Sequence, residues 1–143
     1  MELCSLTCGL WYKILCYIKS CRFDAQYIPF TLKEVREFTD WWVENVLPRV
    51  KYMPDIFDCD DFASLFRALM VQHTGKNAVF FTAGELYMKK DNTEEFLGLH
   101  AWITVVTTNG TFFIEPQTGD IFPAGCHAES HDGFCYDALF FIG

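Results

Sequence analysis

Residues 52–63, which read YMPDIFDCDDFA, place a cysteine at the predicted mouth of a helix. Asp58 is a preferred N-cap residue, Cys59 then takes the first helical position, and Asp61 stands three residues after the cap, as in an acidic capping box. The helix dipole stabilises a thiolate at this end of a helix. Cys59 is therefore a candidate nucleophile, and a buried structural cysteine is the alternative interpretation.

The residues after Cys59 predict the body of the same helix. Apolar side chains recur at the spacing of one helix face, namely at Phe62, Leu65, Phe66, Leu69 and Met70. Gly75 is typical of the left-handed residue that ends a helix. On a helical wheel Cys59 lies at the edge of the apolar stripe, so we expect its side chain to face whatever the helix packs on.

Composition limits the class of protein. The 143 residues, of which 51% are hydrophobic, are enough for a single domain over 1–143 with its own core. A formal charge of −8 argues against nucleic-acid binding and against an anionic membrane surface. The apolar start lacks a basic region and is interrupted by Lys13 and Lys19, so we expect neither a cleaved signal nor a transmembrane segment. Seven cysteines without a CxxC pair favour reduced thiols and a cytoplasmic location.

Two further helices are predicted before the cysteine helix, which makes 1–50 the helical part of the domain. Residues 5–20 have the apolar spacing of an amphipathic helix, which packs on the domain or binds a partner protein or a membrane surface. Cysteines lie in or beside it at spacings that match no familiar metal site, at Cys4, Cys8, Cys16 and Cys21. Thr31 and Glu34 form a capping box that opens the next helix, and Pro48 is expected to end it. The predicted buried face of that helix consists of Val35, Phe38, Trp42 and Val46.

The second half of the chain predicts an antiparallel sheet. Alternating apolar residues predict strands over 78–83, 86–89, 99–107, 111–115, 121–123 and 134–142. Gly84-Glu85 and Asn109-Gly110 are predicted as turns, 91–95 as a polar loop tip, and 124–133 as a loop. Because the helices come first and an antiparallel sheet follows, the predicted fold class is α+β.

Two residues of the predicted sheet have the chemistry to activate a cysteine. A cysteine nucleophile needs a base to hold its proton and a third group to orient that base. His100 begins the most regular predicted strand and Glu115 ends its partner, so Cys59, His100 and Glu115 fill each role once. Taken singly, such a histidine is more often structural and such a glutamate more often exposed.

The three blocks that contain these residues resemble the papain-like and transglutaminase-like cysteine hydrolase superfamily. They are 58–63 (DCDDFA) at a helix start, 100–102 (HAW) and 114–118 (IEPQT). Within the superfamily, the chain looks closest to the cysteine-protease domain of Marasmius oreades agglutinin-type lectins, over about residues 52–121. The resemblance implies Cys59 as nucleophile, His100 as general base and acid, and Glu115 as the group that orients the imidazole. It also implies that the cysteine helix packs on the antiparallel sheet.

The resemblance further implies an amide bond in a protein or peptide as the substrate. The residues do not separate hydrolysis by a peptidase or amidase from transglutaminase-type acyl transfer. No cofactor is required by this chemistry, although the calcium dependence of the lectin relatives suggests calcium binding by the acidic group at Asp55, Asp58, Asp60 and Asp61. Papain-type enzymes have an oxyanion-hole glutamine shortly before the cysteine, which this chain lacks because Gln26 is too distant. The backbone N–H of Cys59 is one remaining donor.

Counting along the predicted hairpin separates His100 from Glu115. A two-residue turn at Asn109-Gly110 leaves His100 four residues from the position opposite Glu115, about 13 Å along the strand. Either the register is shifted, for example by a wider loop over 107–111, or another group orients the imidazole, with Gln117 the next candidate on that face. We favour the shifted register.

Two other interpretations stay open. One loop contains four residues of zinc-ligand type at unusual spacing, Cys126, His127, His131 and Cys135. Alternatively, the fold is a catalytically silent interaction module that docks through its N-terminal helix and its many aromatic residues. Selective alkylation of Cys59, compared with uniform labelling of all thiols, distinguishes an active site from a silent module.

Overall fold

A computed structural model describes residues 20–21, 24–91 and 93–143. The helical elements are α1 (Leu32–Asn45), a short 3₁₀ helix (Leu47–Arg49) and α2 (Cys59–Thr74). The strands are β1 (Ser20–Cys21), β2 (Val79–Lys90), β3 (Thr93–Thr107), β4 (Gly110–Glu115), β5 (Asp120–Pro123), β6 (Ala128–Glu129) and β7 (Phe134–Ile142). The predicted helix over 5–20 lies, apart from residue 20, outside the described residues. Within the described ranges, no helix combines the length and the apolar character that crossing a bilayer requires.

Helix α2 begins and ends at the predicted residues. Asp58 is its N-cap, and the backbone N–H of Asp58 donates to a carboxylate oxygen of Asp61 at 3.3 Å. Gly75 is the C-cap, with the left-handed φ of 68° that a residue without a Cβ adopts without strain. Cys59 is thus the first helical residue, as predicted.

Helix α1 confirms the predicted start but ends earlier than expected. Thr31 and Glu34 form the capping box. The helix ends at Asn45, and Pro48 lies in the 3₁₀ helix that follows. Its side of the core is formed by Val35, Phe38, Thr39 and Trp42.

The strands form one sheet in the order β1-β7-β2-β3-β4-β5, with β6 paired to β7. The β1–β7 pair is parallel, and the other strand pairs are antiparallel. Both described α-helices precede β2 in the chain, and α2 contacts β2 and β3. The predicted α+β class and the packing of the cysteine helix on an antiparallel sheet are therefore confirmed.

The predicted turn at Gly84-Glu85 is wrong, because β2 runs unbroken through both residues. A Cβ atom at Gly84 would lie 2.0 Å from the backbone oxygen of Asp137 and 2.7 Å from the ring of Trp102. The glycine therefore permits a close approach of β7 and does not mark a turn. The loop predicted at 91–95 is likewise too long, since β3 begins at Thr93.

The hairpin between β3 and β4 turns one residue earlier than predicted. Thr107 pairs with Gly110, so the turn residues are Thr108 and Asn109. The side chain of Thr107 holds this turn: its hydroxyl accepts from the N–H of Asn109 at 3.1 Å and donates to the carbonyl of Gly110 at 2.8 Å. Because the turn moves by one residue, each β4 residue pairs with a β3 residue two positions earlier in the chain than predicted.

The sheet has an apolar core on each face. Helices α1 and α2 cover one face, where Trp42 and Phe66 pack with Ile103. We call this side the helix face. On the other face Trp102 packs with Phe113, Phe122 and Tyr136. Because successive side chains of a strand point to opposite faces, His100 shares the second face with Trp102.

Candidate active site

The structure brings His100 and Glu115 into direct contact. The Nε2 atom of His100 lies 2.6 Å from Oε2 of Glu115, and their side chains are only 13% and 8% exposed. The shifted register explains the contact. Ile103 pairs with Ile114, so the next residue of β4, Glu115, lies opposite Trp102. Glu115 is therefore a diagonal cross-strand neighbour of His100, within side-chain reach. The shift arises from the earlier turn and not from a wider loop.

The carboxylate of Glu115 is held by two further donors. The hydroxyl of Tyr136 donates to Oε2 at 3.1 Å, and the backbone N–H of Gln117 donates to Oε1 at 3.0 Å. Gln117, the alternative orienting group, thus acts on Glu115 through its backbone. Burial and the negative charge of Glu115 both raise the pKa of the Tyr136 hydroxyl, which keeps it a proton donor.

Cys59 is a free, partly buried thiol that lies near enough to the imidazole of His100 to raise its pKa. Since Nε2 of His100 faces Glu115, Nδ1 is the ring nitrogen left for the thiol. Burial lowers the pKa of His100, but hydrogen bonds with Cys59 and then with Glu115 outweigh it and raise that pKa from 6.5 to about 9. The imidazole therefore carries a positive charge at neutral pH, beside the thiol.

The three residues predicted from sequence are thus together in space, each placed by a different element. Cys59 comes from the start of α2, His100 from β3 and Glu115 from the end of β4. Tyr136 was not predicted as a site residue. Its strand was predicted from alternation, but nothing local to that strand indicates that β7 lies beside β2.

Two acidic side chains lie beside the thiol. Asp58, Cys59 and Asp60 offer ligand atoms within 4.8 Å of one another. The hydrogen bond between the two carboxyl groups raises the pKa of Asp60 and lowers that of Asp58. Calcium takes about six to eight oxygen ligands, and this cluster supplies two carboxylates and a sulfur. The cluster does not meet that requirement, so no step below involves calcium.

The loop with zinc-ligand residue types does not assemble as one site. Cys126 takes part in a disulfide, which the cysteine pattern did not predict. The ring of His131 contacts Asp120, with 2.5 Å between Nδ1 and Oδ1. Only His127 and Cys135 of the four fall in one cluster among the described residues, and they do so with Glu94.

Comparisons with known proteins bear on the fold alone. No family model and no curated protein matches the chain. Two similar solved structures are a Polyporus squamosus lectin bound to a human-type influenza-binding epitope, at 22% identity, and a PSL1a–E64 complex, at 24% identity, each with a TM-score of 0.56. Each match covers 87% of this chain but 42% of the other, so this chain spans less than half of their length.

Proposed function

We propose that the protein is a cysteine hydrolase of the papain-like or transglutaminase-like type, acting on an amide bond in a protein or peptide. One observation carries the proposal: Nε2 of His100 lies 2.6 Å from a buried carboxylate oxygen of Glu115, and Cys59, at the start of α2, is near enough to raise the pKa of the same imidazole. A nucleophile, a base and a group that orients the base are the parts that nucleophilic catalysis by cysteine needs.

The proposed reaction starts from a thiolate–imidazolium pair, in which Nδ1 of His100 already holds the proton given up by the Cys59 thiol. The thiolate sulfur attacks the amide carbonyl carbon, and the carbonyl oxygen becomes an oxyanion. Cys59 is the first residue of α2, and first-turn N–H groups have no acceptor within the helix, so its backbone N–H is a suitable oxyanion donor. The raised pKa of His100 keeps a proton ready for the leaving amine.

The second half of the reaction releases the acyl group. The carbon–nitrogen bond breaks, the amine departs with the proton from His100, and a thioester remains on Cys59. His100 then takes a proton from water, hydroxide adds to the thioester, and the carboxylic acid leaves as the thiol is restored. If an amine replaces water, the same steps give transglutaminase-type transfer. Throughout, Glu115 holds the imidazole in place and stabilises its charge.

The PSL1a–E64 complex adds chemical support to the proposal. E64 is an epoxide that alkylates activated cysteine thiols, and the protein in that complex shares the fold of this chain. Both described free cysteines have an imidazole nearby, but Cys59 stands at the start of α2 beside His100, whereas Cys135 is buried near His127 and burial raises the pKa of its thiol. E64 therefore offers a probe that distinguishes the two thiols.

The test is alkylation by E64 followed by peptide mass spectrometry. We expect one adduct per chain, on Cys59, at pH 6 to 7, and none in the variant Cys59→Ala. Cys135→Ser is the matched control and should react like the wild type. Cleavage of an unfolded protein substrate should be lost in Cys59→Ala. A primary amine added to the wild-type reaction should be found attached to the product only if acyl transfer occurs. Equal labelling of all thiols, with no cleavage, would instead favour the silent interaction module.

A further inference from the structure

A second group of chemically distinctive side chains lies away from Cys59 and His100. Glu94, His127 and Cys135 each offer one ligand atom, and these atoms lie within 4.8 Å of one another. We call these three residues the sheet cluster. Cys135 neighbours Tyr136 in β7, and Tyr136 contacts Glu115 on the face of His100. Because adjacent side chains of a strand point to opposite faces, Cys135 and the rest of the sheet cluster lie on the helix face.

Strand pairing explains why these residues meet. Cys135 pairs with Tyr87 of β2, and Glu94 pairs with Lys89, two residues further along the same strand. Tyr87 and Lys89 share a face, so their partners do as well. His127 completes the group from the residue before β6, where its ring lies 5.5 Å from that of Tyr87. The cluster therefore joins residues that are distant in sequence.

The imidazole of His127 is oriented by a fourth residue. Asp137 accepts from the backbone N–H of His127 at 2.7 Å, and its other carboxylate oxygen lies 2.8 Å from Nδ1. Nε2 of the same ring then faces Oε1 of Glu94 at 2.9 Å. In a metal-binding histidine, one ring N–H usually donates to a group such as a carboxylate, and the other ring nitrogen binds the ion.

We propose that the sheet cluster is a transition-metal site, with Glu94, His127 and Cys135 as ligands of Zn²⁺ and Asp137 as the residue that positions His127. A thiolate, an imidazole and a carboxylate are the ligand types that zinc takes, whereas calcium and magnesium prefer oxygen alone. The two anionic ligands balance the charge of the ion. Three protein ligands leave the fourth position to solvent.

The present distances suit this ion after a small movement. For a tetrahedral ion, zinc–nitrogen and zinc–oxygen bonds of about 2.0 to 2.1 Å require the two ligand atoms to lie about 3.3 Å apart. Nε2 of His127 and Oε1 of Glu94 are 2.9 Å apart, so they need to separate by only a few tenths of an ångström. Binding expels the thiol proton of Cys135 and the proton between His127 and Glu94.

The surroundings also favour an ion. The side chains of Glu94 and His127 are 45% and 36% exposed, so an ion can reach them from solvent, while Cys135 is buried behind them. Lys89, the cross-strand partner of Glu94, forms an ion pair with Glu129 at 2.8 Å. Its positive charge is therefore already balanced. Without a metal, the imidazole of His127 bridges the carboxylates of Glu94 and Asp137.

Cobalt(II) substitution tests the proposal on the full chain. After treatment with a chelator and dialysis, we expect one equivalent of Co²⁺ to give a thiolate-to-cobalt charge-transfer band and the visible bands of a tetrahedral ion. Zn²⁺ should abolish both by displacing the cobalt. Cys135→Ser should remove the charge-transfer band, and Asp137→Asn should weaken binding by about 10- to 100-fold, as expected of a residue that positions a ligand.

Two controls keep the outcome unambiguous. Cys59→Ser should keep the full cobalt spectrum, because the group of Asp58, Cys59 and Asp60 is not the proposed site. Glu94→Gln changes an exposed residue and should weaken binding without loss of fold, which covers the case in which Cys135→Ser does not fold. A wild-type protein without the charge-transfer band, or a band that persists in Cys135→Ser, would overturn the proposal.

Discussion

The indole N–H of Trp42 donates to the backbone carbonyl of Pro116 at 2.8 Å, and both residues are buried. Pro116 lies between Glu115, which contacts His100, and Gln117, whose backbone N–H contacts Glu115. Helix α1 therefore fixes the segment that positions the carboxylate, although α1 supplies no residue to the site itself. Trp42 thus packs in the core and also holds the backbone next to Glu115.

Replacing Trp42 with phenylalanine should affect both stability and reactivity. The variant Trp42→Phe leaves the buried carbonyl of Pro116 without its donor, which costs about 1–3 kcal/mol. We expect the urea midpoint to fall accordingly and the alkylation of Cys59 to slow, since Glu115 is held less firmly. Trp41→Phe is the control, because Trp41 is only partly buried and packs on Phe38 and His73. Equal losses in the two variants would contradict the role of the Pro116 contact.

Removing the charge of Glu115 should release the imidazole. In Glu115→Gln the pKa of His100 should fall below its value of about 9, because a charged hydrogen-bond acceptor is lost. Amide cleavage should fall by about 10²- to 10⁴-fold, the usual contribution of acid–base catalysis. An NMR titration of the imidazole measures the first effect. Glu37→Gln, at an exposed residue paired with Lys33, should leave both unchanged. An unaltered titration in Glu115→Gln would contradict the proposed role.

A methyl group at Gly84 should destabilise the sheet. The added Cβ meets the backbone oxygen of Asp137 at 2.0 Å, and a backbone atom cannot move aside as a flexible side chain can. We expect Gly84→Ala to lower the free energy of unfolding by about 1–3 kcal/mol or more. Gly125→Ala is the matched control, since nothing lies within 4 Å of its Cβ position. Denaturant titrations of the two variants measure the difference, and equal stabilities would refute the steric argument.

The free energy of unfolding should depend on pH through His100. Its pKa is raised from 6.5 to about 9 on folding, so its contribution is fully present below pH 6.5 and is lost as the pH rises through 9. The stability difference between wild type and His100→Asn should therefore be largest near pH 6 and smaller above pH 9. The pKa of His127 is also raised, by its carboxylate partners Asp137 and Glu94. Its contribution to stability is the same in both proteins and cancels in the difference. A difference that does not change with pH would contradict this coupling.

Local signals were sufficient to predict the start of α1 and both ends of α2. The limits of α2 depend on Asp58, Asp61 and Gly75, each of which acts within a few residues of the helix end. Cys59, His100 and Glu115 were identifiable for a similar reason, since each lies at or near the start or end of a predicted element. The sheet was less predictable, because the role of Gly84 depends on Asp137, a residue on a strand far along the chain.

The register of the hairpin was predictable only to within one residue. Asn109-Gly110 is a strong turn signal, but the hydroxyl of Thr107 stabilises the turn one residue earlier. The strand order that places β7 beside β2 cannot be inferred from alternation. For that reason neither the contact of Tyr136 with Glu115 nor the meeting of Glu94 with Cys135 was expected from the sequence.

The imidazole and the carboxylate belong to one β-hairpin, whereas the sulfur belongs to a helix that joins the sheet through side-chain packing. Backbone hydrogen bonds set the spacing of His100 and Glu115, which is therefore insensitive to a sliding motion of α2. The separation of Cys59 from His100 changes with every such motion. On the proposed function, a displacement of α2 would therefore change the reactivity of the Cys59 thiol and leave the pair of His100 and Glu115 unchanged.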